Sequence, residues 1–143
     1  MTADVFTKKK RSAVMARIRS AGNRTTEMRF VSLLRREGII GWRRRYPLLG
    51  RPDFVFPVHR VAILVDGCFW HGCTKCSDGH LPKGNRTYWI QKIAGNRKRD
   101  MRVNRSLRKL GWRVWRLREC SVVSADLHVR RVLASLCALQ ART

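Results

Sequence analysis

The chain has 143 residues, 44% of them hydrophobic, enough for one domain with a buried core and too apolar for a disordered basic tail. Its 32 Lys and Arg face 9 Asp and Glu, a formal net charge of +23 spread along the whole length. So basic a domain repels itself away from a polyanion, and nucleic acid is the simplest one, because Lys and Arg displace counterions condensed on phosphates. No apolar run approaches the ~20 residues of a membrane span. The basic stretch Lys8–Arg11 leads into no secretion-type apolar segment. A cytoplasmic protein without membrane association is expected, its five cysteines read as metal ligands or core thiols instead of disulfides.

Residues 8–20 read as a short basic helix carrying Val14, Met15 and Ile18. Thr25 can cap a second helix running to Arg36, with Met28, Val31 and Leu34 on one face and Gly38 as its stop. Trp42 to Tyr46 reads as a strand, and Pro47 to Pro52 as turn chemistry. Asp53 to Val58 and Val61 to Asp66 are further strands; only His59-Arg60 separates them, so a hairpin is expected. The latter is nearly all apolar, as a strand covered on both faces is. Residues 67–86 form a loop rich in Cys, Gly and Pro. Thr87 starts a long basic helix to Leu110, with Ile90, Ile93, Ala94, Met101, Leu107 and Leu110 inward and Gly111 ending it. Trp112 to Leu117 is a strand, and Ala125 to Gln140 a last amphipathic helix. The sum is an α/β domain, a short mixed sheet bracketed by helices.

Cys68, Cys73 and Cys76 share one loop with spacing C-x4-C-x2-C, and Cys120 follows the last strand. Four thiolates suit a tetrahedral Zn²⁺, with His71 and His80 as rival ligands. Four thiolates leave no position open for water, so such a zinc is structural and the chemistry lies elsewhere. Cys137, on the apolar side of the last helix, reads as a core thiol. Among the few acids, Asp53 opens one hairpin strand, Asp66 closes the other, and Glu27 starts the second helix. Paired on a hairpin, Asp53 and Asp66 reach one end of the sheet, near His71. Mg²⁺ takes one or two carboxylates with water and phosphate oxygens, and a histidine can move the proton. Each residue also has a duller reading: a turn cap for Asp53, an arginine partner for Asp66, a helix N-terminus for Glu27, a zinc ligand for His71.

Gly50-Arg51-Pro52-Asp53-Phe54, Gly67-Cys68-Phe69-Trp70-His71, Asn96 with Arg99-Asp100, Leu110-Gly111-Trp112-Arg113-Val114 and Glu119-Cys120 together resemble the very short patch repair (Vsr) endonucleases, over roughly residues 8–137. The resemblance implies a restriction-endonuclease-like fold of the PD-(D/E)XK type and one endonuclease domain over 1–143. In it a basic DNA-contacting N-terminal helix (1–22) precedes the catalytic core (23–143). It also implies Mg²⁺-dependent nicking of duplex DNA 5′ to the thymine of a T:G mismatch, the product of 5-methylcytosine deamination, in DNA mismatch repair. Residue by residue, it makes Asp53 the principal metal carboxylate, the Val65 carbonyl a second ligand, His71 the general acid/base and Glu27 an assistant. Cys68, Cys73, Cys76 and Cys120 match zinc ligands; Phe69, Trp70 and Trp89 match aromatics that wedge into the duplex, and Met15 presses in from the minor groove. Some relatives carry histidine at the place of Asp66, which leaves two roles open for it, metal binding or orienting a water. Restriction-type sites often place a lysine two residues after the second carboxylate; Cys68 stands there, and His71 is expected to take over. Lys92, Asn96 and Arg99, about one turn apart, are candidates to face DNA. A monomer is expected, with mismatch-repair proteins as partners. Two rival classes are a non-catalytic zinc-containing nucleic-acid binder and a related nuclease of broader DNA substrate.

Overall fold

The computed structural model describes residues 25–143. The expected helix over 8–20, and Met15 with it, lie outside the described residues.

Helix α1 occupies residues 25–36. Gly38, at φ +67°, donates to the Arg35 carbonyl while Ile39 donates to that of Leu34, a Schellman ending that needs the left-handed conformation glycine adopts freely. Val31 and Leu34 are buried as expected, but Met28 is half exposed, and Thr26, Phe30 and Leu33 complete the inner face.

The expected strand over 42–46 is reduced to one bridge, Arg43 to Val55. Three successive arginines offer no apolar face to bury, and Arg45, at φ +54°, leaves extended backbone altogether. Strand β1 is Phe54–Phe56, shorter than expected because Pro57 has no N–H for the ladder. Strand β2 is Val61–Asp66, antiparallel to β1 with Phe54 opposite Ile63. A short 3-10 turn spans Ser77–Gly79, and helix α2 runs Arg86–Lys109. Strand β3, Arg113–Arg118, lies parallel to β2, so α2 is the crossover a parallel pair requires. The sheet order is β1-β2-β3, and its mixed hydrogen bonding agrees with the expected mixed sheet flanked by helices.

Helix α3, Glu119–Ser124, is not among the elements expected from the sequence. Helix α4, Leu127–Ala141, is capped by Asp126, whose side chain accepts from the Val129 N–H at 3.1 Å. Cys137 packs at the edge of the main core.

Strand alternation divides the interior. Phe54, Phe56, Val61, Ile63 and Leu117 join Phe30, Leu34, Val129 and Leu133 in the main core, beneath α1 and α4. Ala62, Leu64 and Val114 face Leu107 of α2 in a smaller one. Only Trp89, Ile93 and Leu107 of α2 are buried; Ile90, Met101 and Leu110, expected inward, are exposed, since a three-stranded sheet covers only a narrow strip of so long a helix. Asp66 and Arg116 extend the α2 face past its apolar part, at the carboxyl ends of the parallel strands, where open α/β sheets bind their ligands. No helix among the described residues is long and apolar enough to cross a membrane.

Candidate active site and cysteine cluster

Asp66, His71 and Asp100 present ligand atoms within 4.8 Å of one another. His71 Nδ1 lies 2.7 Å from Asp100 Oδ2, and its Nε2 lies 3.7 Å from Asp66 Oδ1. Arg116 ties the group together: Nη1 donates to Asp66 Oδ1 at 2.7 Å, Nη2 stands 3.5 Å from Asp100 Oδ1, and Nε donates to Asn104 Oδ1 at 2.8 Å. Burial raises the Asp66 pKa above its usual 3.8, while His71 and Arg116 oppose the rise. Asp100 was not singled out as a site residue. Its signal was there: it is the lone acid of α2, and Lys92, Asn96, Asp100 and Asn104 recur every four residues, one polar stripe on one helix face.

Asp53, just before β1, accepts from the Val65 N–H at 2.7 Å. Glu27 of α1 reaches the same carboxyl group and is itself paired with Arg44. Burial raises Asp53 to about 7; the Val65 N–H opposes the rise, and Glu27 and Asp66 reinforce it. Asp53 thus stands apart from the three converging groups, at the entry to the neighbouring strand. Arg44, the partner of Glu27, was missed by sequence reasoning, which had no local signal to separate it from thirty-one other cations.

Phe69, Trp70 and Trp89 form one aromatic cluster, with ring centroids 5.1 to 6.1 Å apart in edge-to-face contact. Phe69 and Trp70 are half-buried, whereas Trp89 is only 6% exposed and supports the other two from beneath. Asn96 donates to the Trp70 carbonyl at 2.9 Å. Arg97 donates to the carbonyls of His71 and Gly72, at 3.1 and 2.9 Å, fixing the loop from the helix side. A cleft of about 290 Å³ is lined by Val65, Trp70, His71, Lys92, Asn96 and Arg99, so the expected helix face meets the histidine.

Four sulfurs meet on the other side of this loop: Cys68, Cys73, Cys76 and Cys120, all within 4.8 Å of one another. His71 and His80, the rival ligands, are not in this group. Cys73 Sγ and Cys120 Sγ are 3.8 Å apart. A tetrahedron with metal–sulfur bonds of about 2.3 Å has edges of about 3.8 Å. Cys120 N–H donates to Cys68 Sγ, and Lys75 N–H and Arg118 Nη1 donate to Cys73 Sγ, at 3.3 to 3.4 Å. Burial pushes the Cys73 thiol up, but hydrogen bonds from Lys75 N–H, Arg118, Cys76 N–H and Cys120 together hold the group down at about 6, while burial drives Cys68 far upward. Four sulfurs this close suit a cation that would hold all of them ionised.

Sheet-end carboxylates, a carboxylate-held histidine and a strongly basic surface are the equipment of a nuclease. The sequence profile described as DNA mismatch endonuclease Vsr matches residues 3–78. The type II nicking enzyme V.XorIIP of Xanthomonas oryzae pv. oryzae is 38% identical over 91% of this chain and 96% of its own. The type II nicking enzyme V.NmeAIP of Neisseria meningitidis is 34% identical over 83% and 84%. The DNA mismatch endonuclease Vsr of Escherichia coli is 38% identical over 84% and 76%. The chain belongs to the Vsr family of DNA mismatch endonucleases, and membership makes it a DNA endonuclease of nuclease-like α/β fold.

Proposed function

We propose that this endonuclease nicks one strand of duplex DNA on the 5′ side of the thymine in a T:G mismatch left by deamination of 5-methylcytosine. The observation that carries the catalytic part is the His71–Asp100 contact at 2.7 Å. Asp100 accepts from Nδ1–H, which leaves Nε2 to take or give a proton at the rim of the cleft that also contains Lys92 and Asn96. Of the two roles open for Asp66, its pairing with Arg116 supports orienting a water over binding metal.

Asp53 and the Val65 carbonyl offer hard oxygen donors, and Glu27 assists beside them, a set that fits Mg²⁺. When bound there, Mg²⁺ supplies charge neutralisation at the phosphoryl group and acidifies a water. The four cysteines fit Zn²⁺ as a structural ligand set, which clamps the loop that bears Phe69, Trp70 and His71.

Phe69 and Trp70 are the inserted wedge, resting on Trp89; Lys92, Asn96 and Arg99 hold the DNA around them, and Met15 joins from the N-terminal segment. Unstacking a base step costs a few kcal/mol. A wobble pair is weaker than a Watson–Crick pair, so the wedge enters it more cheaply. The enzyme acts as a monomer in the bacterial cytoplasm, with mismatch-repair proteins as its partners. The E. coli relative named a mismatch endonuclease supports the substrate.

The test is a nicking assay with Mg²⁺ on T:G and matched duplexes, with Asp53→Ala as control. Nicking confined to the T:G duplex and abolished by the substitution is expected. Equal cutting of matched DNA would make it a broader nuclease, and no Mg²⁺-dependent nicking a binder only.

A further inference from the structure

A second cleft, of about 650 Å³, opens beside Asp53, away from His71. Its wall is the segment from Arg44 to Pro52. Three contacts hold that wall rigid. Arg43 bridges Val55, the Tyr46 ring tilts against Trp112 at 6.3 Å, and Leu48 packs on the smaller core. Glu27 and Asp53 close one end of the cleft, and three arginines line it: Arg44, Arg45 and Arg51.

These arginines are not equivalent. Arg44 is committed to Glu27 and lies over the Phe54 ring. Arg45 and Arg51 are exposed, and neither guanidinium has a hydrogen-bond or ion-pair partner among the described residues. Both stand in left-handed backbone, at φ +54° and +48°, where Gly or Asn is the ordinary choice. Arg60 shares that conformation at φ +52°, but its guanidinium donates to the Leu110 carbonyl, so a local contact accounts for it. Nothing inside the described molecule accounts for the other two. Long cations held in an unfavourable backbone state on a rigid wall, aimed into a cleft and unpaired, fit an external anion.

We infer that this cleft is a second phosphodiester-binding site, in which Arg45 and Arg51 hold the DNA backbone next to the strand position that Asp53 serves. The inference rests on the endonuclease reading above. Arg44 makes the site workable by neutralising Glu27, which would otherwise repel a phosphate at the closed end. A guanidinium fork grips two phosphate oxygens and reads no base, so the site adds affinity and fixes the register of the strand without adding sequence preference.

The experiment measures binding of uncut T:G and matched duplexes by fluorescence anisotropy, without divalent metal, over a salt series. The proteins are the unaltered chain, the Arg45→Gly/Arg51→Gly double variant, the Arg45→Lys/Arg51→Lys double variant, and Arg131→Gln on the exposed face of α4 as control. Glycine removes the charge and suits the left-handed backbone, so the fold is kept. Each lost phosphate contact lowers the slope of log Kd against log salt by about 0.9, so the glycine pair should lower it by about 1.8. Affinity should fall roughly tenfold on both duplexes alike. The lysine pair should restore the slope, and the control should leave it unchanged. A glycine pair with the unaltered slope overturns the inference and leaves the endonuclease reading standing. If the unaltered chain neither binds nor nicks DNA, both fall.

Discussion

Asp53→Asn should stabilise the metal-free protein while abolishing nicking, and the gain should grow with pH. Burial raises the folded-state pKa of Asp53 from 3.8 to about 7, so between these values the folded chain binds a proton that the unfolded chain has released. A raised carboxyl pKa gives stability that is complete below 3.8 and lost as pH climbs through 7. Asparagine keeps an acceptor for the Val65 N–H and gains a donor towards Glu27, so the packing survives. At about 1.4 kcal/mol per pH unit, the full penalty on ionised Asp53 has a ceiling of about 4 kcal/mol. Residual water around the half-buried side chain reduces the expected gain to about 2 kcal/mol at about pH 8.5, and to about half that at about pH 5. Urea unfolding of both proteins at the two pH values, in magnesium-free buffer, reads the difference directly, and any pH effect on the cysteine cluster cancels between them. Adding Mg²⁺ should then favour the unaltered protein, which alone keeps the carboxylate. A stability difference that stays constant across pH, or favours the unaltered protein without metal, would refute the account of Asp53.

Asp100→Asn removes the negative charge behind His71 Nδ1 and lets an amide donor face the ring, so the tautomer is no longer fixed while the cleft stays in place. The nicking rate at saturating DNA should fall by about 10² to 10⁴, with Kd for DNA within about twofold. A rate within tenfold of normal in single-turnover assays would remove Asp100 from the mechanism. Trp70→Ala should narrow the difference in affinity between T:G and matched duplexes more than it weakens binding to matched DNA. Equal loss on both substrates in the same anisotropy titration would count against the wedge.

Local pattern was enough to show the hairpin, the long crossover helix, the terminal helix and the cysteine loop, because alternation, helical period and turn residues each leave a trace within a few positions. Parallel pairing of β2 with β3 leaves no such trace, and neither does the pairing of Asp66 with Arg116, which are 50 positions apart. Arg43–Arg45 misled because β-like spacing between turns carries no record of whether a face can be buried. Helix α3 was hidden by its length, six residues between a strand and the Asp126 cap. In the candidate site the sequence pointed to His71, Asp53 and the cysteines. It missed Asp100 and Arg44, whose meaning depends on what tertiary folding sets opposite them.

The segment from Cys68 to His71 sends four successive side chains to three destinations, and its backbone explains how. His71 N–H donates to the Gly67 carbonyl, Gly72 to Phe69, and Cys73 to Cys68, so the loop winds as a helical turn. A strand would offer only two directions. A turn offers about 100° per residue, enough to place Cys68 with Cys120, Phe69 and Trp70 over Trp89, and His71 against Asp100. One anchor therefore aims two functions. Cys120→Ser breaks that anchor from the α3 side without touching the aromatics, His71 or Asp100. It should lower bound zinc, measured by elemental analysis, and cost the fold several kcal/mol in unfolding. At temperatures where the variant remains folded, mismatch discrimination and nicking rate should fall together, unlike Asp100→Asn, which should spare discrimination. If the Cys120→Ser protein lost rate but kept its preference for T:G DNA, the aromatics would have to be held by Trp89 and Asn96 alone, and the cysteine cluster would not be what aims them.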